Sequence, residues 1–191
     1  SGAEYWFESG TIAYWRGYIA YRQREWATAE RYFAQYLHDA EQLQVLATDQ
    51  EQAQNEIAAA LSNLGSLAER RDQLLDARRY FERSVQLWRA RGDSAGRAME
   101  LANSLSWLAA IQGALGDPVA APANLSAALD LVVGSRSSGP DDSRRLQREI
   151  NLRYLLALSA RQLDAPEESA AQLAAALALA SQDLANDPTQ P

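Results

Sequence analysis

The sequence has no cysteine, no lysine and a single histidine, His38. Without cysteine there is no disulfide framework, no thiolate metal site and no thiol nucleophile. One histidine excludes the two-histidine pairs on which many metal centres are built, and the flanking residues, YLHDAEQ, give His38 a solvated or interhelical place. All 18 cationic residues are arginine, interleaved with 25 carboxylates for a net charge of −7. No basic tract results, which argues against nucleic acid as a partner. No run approaches the roughly 18 consecutive apolar residues of a membrane span. The first residues lack the basic-then-apolar order of a secretion signal, so no direct membrane insertion is expected. β-Branched residues are sparse, and no segment alternates cleanly between apolar and polar.

What the chain does have is alanine, leucine, glutamate, glutamine and arginine in helical periodicity, so an all-α domain is expected. The shortage of lysine beside abundant Ala, Arg and Leu is typical of a GC-rich bacterial coding sequence. Turn chemistry divides the chain into about eight segments, with breaks near residues 24–26, 48–50, 71–73, 91–94, 116–118, 134–142 and 163–166. Asp117 before Pro118 suits a helix start, with the carboxylate accepting backbone N–H groups and the proline early in the helix. Pro122 then distorts that helix or delays its start by a turn. The opening Ser-Gly-Ala reads as left over from removal of a purification tag, and residues 187–191 as the start of a linker. On that reading the sequence is a soluble fragment of a longer protein, more cytoplasmic than periplasmic in character.

One register recurs four times. Gly65 is followed twelve positions on by Ala77 and four later by Phe81; the same spacing gives Gly17, Ala29 and Phe33, then Ala109, Ala121 and Leu125, then Ala157, Ser169 and Leu173. Leu64, Leu108 and Leu156 precede the small residue, and Leu37, Val85, Leu129 and Leu177 follow the large one. A glycine inside a helix costs about 1 kcal/mol relative to alanine, so Gly65 calls for a packing reason. Two antiparallel helices approach closely where neither carries a bulky side chain, and the aromatic residue one turn on fills the adjacent hollow.

This pattern resembles the tetratricopeptide repeat (TPR) family over nearly the whole chain. LSNLGSLA (61–68) matches the first helix of the family signature, DARRYF (76–81) the second, and RGYIAYRQREWATAERYF (16–33) a further copy. The third and fourth copies are more degenerate, with Gln112 where a small or aromatic residue is usual and Arg153 where a large apolar one is. The intervals between the small residues, 48, 44 and 48, exceed the family's 34-residue period, which resembles the long-helix TPR modules of bacterial signalling and regulatory proteins. The resemblance implies a single right-handed superhelical solenoid of about four hairpins spanning 1–191, with repeats near 4–48, 50–92, 94–134 and 143–186, an inter-repeat loop at 135–142 and a tail at 187–191.

Chemistry-bearing constellations are missing. No glycine-rich phosphate loop or Walker sequence is present, and the carboxylate pairs Glu167–Glu168 and Asp141–Asp142 fall at helix starts, where the dipole favours them. The expectation is a noncatalytic protein-interaction scaffold with no cofactor and no metal. By the family register the concave face carries Thr11, Tyr14, Tyr18, Tyr21 and Arg22 from the first repeat, and Ser62, Ser66, Glu69 and Arg70 from the second. Asn103 and Ser106 follow from the third, then Asn151, Tyr154, Leu158, Arg161 and Gln162 from the fourth. Such a face suits a peptide or a partner helix. The chaperone-binding subgroup's clamp is not reproduced, because Tyr14, Tyr18, Ser62 and Ser66 stand at its positions. Of 16 aromatic residues, 11 fall between Tyr5 and Tyr36; they either cap the solenoid or form a docking surface, which leaves a homodimer through the N-terminal repeat as one alternative and a small-ligand sensor beside Tyr14, Tyr18 and Arg70 as another.

Overall fold

The structure, a computed structural model, describes residues 2–90, 95–135 and 142–186. Among them every regular element is helical: α1 (Gly2–Arg22), α2 (Trp26–Leu46), α3 (Gln50–Arg70), α4 (Leu74–Arg89), α5 (Ala95–Ala114), α6 (Ala120–Gly134), α7 (Asp142–Gln162) and α8 (Pro166–Asn186). The breaks among the described residues fall where turn chemistry places them, and the one expected at residues 91–94 lies outside the described residues. Residues 136–141, most of the expected inter-repeat loop, and the tail at 187–191 lie outside the described residues. The chain forms two compact units, Ser1–Ala90 with α1 to α4 and Arg91–Pro191 with α5 to α8. Within each unit successive helices pack on one another. The helices are long: α1, α2, α3, α7 and α8 each run to 21 residues, about 30 Å.

The four hairpins turn in the same way. Arg24, Asp72, Gly116 and Asp164 occupy equivalent positions just past the first helix, with φ of 62°, 58°, 76° and 56°. The next backbone N–H in each case donates five residues back, from Glu25 to Ala20, Gln73 to Ala68, Asp117 to Gln112 and Ala165 to Ala160, at 2.9 Å. That left-handed residue and reach-back bond are the Schellman ending, which satisfies carbonyls the helix would otherwise leave unpaired. Only Gly116 adopts the conformation without a Cβ penalty. In the third hairpin Asp117 Oδ1 accepts from the N–H groups of Val119, at 3.1 Å, and Ala120, at 2.8 Å. Pro118 sits in the turn before the helix, and Pro122 falls in the first turn of α6, where it removes no intrahelical bond.

The glycine register has a direct physical cause in the first unit. A Cβ on Gly65 would lie 2.7 Å from Cε1 and Cζ of Phe81, and one on Gly17 2.6 Å from Cδ1 of Phe33. The phenyl rings therefore lie on the bare Cα of the preceding helix rather than beside it. Ala29 and Ala77 are fully buried at the same crossings. Around them Ala20, Leu64 and Leu67 close a core against which Tyr14, Tyr21, Trp26 and Tyr80 pack. Farther along, Ala40, Ile57 and Leu61 continue it with Leu37 and Leu87.

The second unit keeps the small residues and changes the large ones. Ala109, Ala121 and Leu125 are buried in the third hairpin. In the fourth, Ser169 Oγ donates to the Ala157 carbonyl at 2.9 Å, so the small pair is joined by a buried hydrogen bond. Leu173 and Leu177, aligned with core positions of the earlier repeats, are instead exposed, and α8 buries Ala176. The reason lies in α7. Arg153 stands where the register has the buried Leu61 and Leu105, and it bonds Glu149 at 2.8 Å and Gln172 of α8 at 3.3 Å. A charged cluster occupies the space that leucines would fill.

Gly65→Leu should lower stability by about 1–3 kcal/mol through overpacking, and Phe81→Ala by about 3–5 kcal/mol through the cavity it leaves. Chemical denaturation of the two variants checks both, and neutrality in both would contradict the register.

Candidate partner-binding surfaces

In the first unit the candidate residues converge around the end of α1. Tyr14 is half-buried against Ala13, Tyr36 and Ala60, and its ring stacks on that of Tyr18 with centroids 6.1 Å apart. Tyr18 Oη accepts from Arg22 Nη1 at 3.3 Å, and Tyr21 Oη from Arg70 Nε at 3.2 Å. Tyr21 also packs on Phe33 and meets Trp26 edge-on. Thus Tyr14, Tyr18, Tyr21, Arg22 and Arg70 share one surface on which the hydroxyls of Tyr18 and Tyr21 are already engaged. Ser62 Oγ donates to the carbonyl of Ala58, 2.9 Å away, within its own helix, and Ser66 is half-buried. Thr11 likewise donates to Phe7 O at 2.9 Å.

Polar groups also tie α2 to its neighbours. Buried Asp39 accepts from Ser9 Oγ at 2.7 Å, while ion pairs link Arg71 to Glu30 and Arg83 to Glu41. Tyr36, buried, donates its phenol hydrogen to Glu56 Oε2. Burial first, and then the bond to Glu56, raise the Tyr36 pKa far above the ordinary phenol value. His38 is exposed and meets the edge of Trp6 at 5.9 Å, in keeping with the solvated place its neighbours suggest. No cluster of metal-binding side chains occurs among the described residues, and no described helix is long and apolar enough to cross a membrane.

The second unit contains a groove of about 1160 Å³ walled by α5, α7 and α8. Of the candidate residues, Asn103, Asn151 and Tyr154 line it; Arg161, exposed at the end of α7, does not. Trp107, Leu155, Leu173 and Leu177 supply its apolar surface, and Arg144 and Arg148 its charge. Neither arginine is paired with a carboxylate among the described residues. Asn103 Nδ2 donates to Glu100 at 3.3 Å, while its Oδ1 is buried without a donor. Behind the groove, Arg145 and Arg153 flank Glu149 along α7 at 3.1 and 2.8 Å. Glu149 is 2% exposed, so this pairing fixes α7 through charges that water does not screen.

The sequence reading missed the α8 wall and Trp107. The wall was hidden because Leu173 and Leu177 fit the core register. Trp107 directly follows Ser106 of the expected face and carried no signal of its own beyond being the one tryptophan in the second half of the chain.

No family model and no curated protein matches this chain. Among solved structures, the crystal structure of MamA protein matches with a TM-score of 0.52 over 96% of this chain and 98% of that one, at 14% identity. MamA is a TPR-containing protein. The fold of the chain is therefore a TPR-like helical repeat. At that identity the likeness speaks to architecture alone.

Tyr36→Phe should cost about 0.5–1.5 kcal/mol at neutral pH through the lost bond. In the unfolded chain tyrosine ionises near pH 10, whereas folded Tyr36 keeps its proton. Its contribution is therefore complete below about pH 10 and declines as the pH rises above that. Urea melts from pH 7 to 11 should show a shallower alkaline decline for Tyr36→Phe than for the parent; equal slopes would contradict the assignment.

Proposed function

We propose that the protein is a noncatalytic protein-interaction scaffold that holds a peptide or partner helix in the groove of its second unit. The groove itself is the observation that carries this reading, because it combines a broad apolar lining with a few convergent polar groups, the usual composition of a recognition site. Trp107, Tyr154, Leu173 and Leu177 would receive apolar side chains. Asn103 and Asn151 can bond a peptide's main chain, and Arg144 and Arg148, without a carboxylate partner among the described residues, favour a ligand bearing carboxylates. The tyrosine-rich surface of the first unit is a second candidate segment, less open because the hydroxyls of Tyr18 and Tyr21 already accept from arginines. A place in a larger bacterial signalling or regulatory protein is supported by the resemblance in helix length.

Panning a random twelve-residue peptide display library against the protein tests this. Enriched peptides should pair acidic with apolar residues, and their affinity should fall at least tenfold, about 1.4 kcal/mol, in a Trp107→Ala/Asn151→Ala variant whose circular dichroism is unchanged. Failure to enrich any sequence, or equal affinity for the variant, would overturn the reading.

A further inference from the structure

Helix α1 carries an apolar stripe that nothing in the described structure covers. Tyr5, Ile12, Trp15 and Ile19 are 62%, 55%, 55% and 54% exposed. Their spacing of seven, three and four residues keeps them on one side of the helix. The face toward α2 is made instead by Gly10, Ala13, Gly17 and Ala20. The stripe is therefore an addition to the hairpin's own packing, not part of it. Isolated exposed apolar residues need no explanation, but a contiguous row marks an interaction surface.

The charges on α1 indicate what covers it. The helix has four: Glu4 and Glu8 in its first half, Arg16 and Arg22 in its second. Glu8, Arg16 and Arg22 have no ion-pair partner among the described residues; Arg16 lies over the ring of Tyr32 and Arg22 donates to Tyr18. A second α1 laid antiparallel sets the acidic half of each helix against the basic half of the other. A parallel pair would oppose like charges. In the antiparallel arrangement Ile12 faces Trp15 of the second copy about a central two-fold axis, Tyr5 faces Arg22, and Glu8 lies between Arg16 and Arg22. The interface is self-complementary, as a two-fold contact must be. The helix dipole alone favours acids first and bases last, but it gives no reason for a row of exposed Tyr, Ile, Trp and Ile beside them. We propose that the outer face of α1 is a homodimer interface, formed by antiparallel pairing with α1 of a second copy. This surface is separate from the groove of the second unit, and its failure would leave the peptide reading untouched.

Sedimentation equilibrium of the purified chain should show a monomer–dimer equilibrium at tens of micromolar. Ile12→Glu/Ile19→Glu, at two exposed positions and with circular dichroism unchanged, should raise the dimer dissociation constant at least tenfold. Orientation has its own readout because the chain contains no cysteine. Tyr5→Cys alone should not cross-link to itself under mild oxidation, since the two sulfurs would lie roughly 25 Å apart along the paired helices, far beyond disulfide reach. An equimolar mixture of Tyr5→Cys and Arg22→Cys should give the mixed dimer. A concentration-independent monomer, a dimer indifferent to the double glutamate substitution, or self-linking of Tyr5→Cys would each overturn the proposal.

Discussion

Two phenyl rings lying on two bare α-carbons set the geometry of the first unit. Phe33 and Phe81 pack so close to Gly17 and Gly65 that even a methyl group would intrude, and both rings are fully buried. Everything else in that unit follows from the separation this contact imposes. Ala29 and Ala77 can be no larger at the crossings. Leu64 and Leu67 fill the space between the two hairpins, and the tyrosines of α1 are held part-way out of the core. The glycine's propensity cost, about 1 kcal/mol, is small beside the burial of a phenyl ring, about 1.5–3 kcal/mol.

The second unit reaches a related geometry by other means. Leucine replaces phenylalanine in the third hairpin, and in the fourth a serine hydroxyl bonds the facing backbone carbonyl. Arg153 and its partner Glu149 then stand where the register has Leu61 with Ile57 and Leu105 with Leu101. A buried ion pair adds little net stability compared with apolar packing, yet it is costly to break, and opposite it α8 buries Ala176 while Leu173 and Leu177 stay exposed. Those two leucines line the groove instead of the core. Function in this reading arises where the repeat departs from its own pattern.

The repeat was legible in the sequence because it is written in residue size: glycine or alanine, then a small residue twelve positions on, then a bulky one. The division into eight helices could be read from the turn residues between them, although Pro118, expected early in its helix, sits in the turn before it. The common left-handed turn residue was less visible, since Arg24 is a poor indicator of a positive φ and aspartate has many other places in a turn, although the intervals between Arg24, Asp72, Gly116 and Asp164 repeat those of the small residues. The α8 wall was not legible. Period and apolarity alone cannot distinguish a leucine in the core from one on a groove, and the difference was decided by the identity of residue 153 on another helix. Candidate positions read from helix face, such as Asn103, Asn151 and Tyr154, came together where the helices were right, whereas Ser62 turned its hydroxyl to its own backbone.

The central claim is that glycine is required because an aromatic ring occupies the space above it. Proton NMR of the folded protein measures this most directly. The account predicts that the Hα resonances of Gly17 and Gly65 are shifted strongly upfield by the ring currents of Phe33 and Phe81, with cross-relaxation peaks to those rings' protons. Glycine resonances at ordinary helical shifts with no such peaks would contradict it.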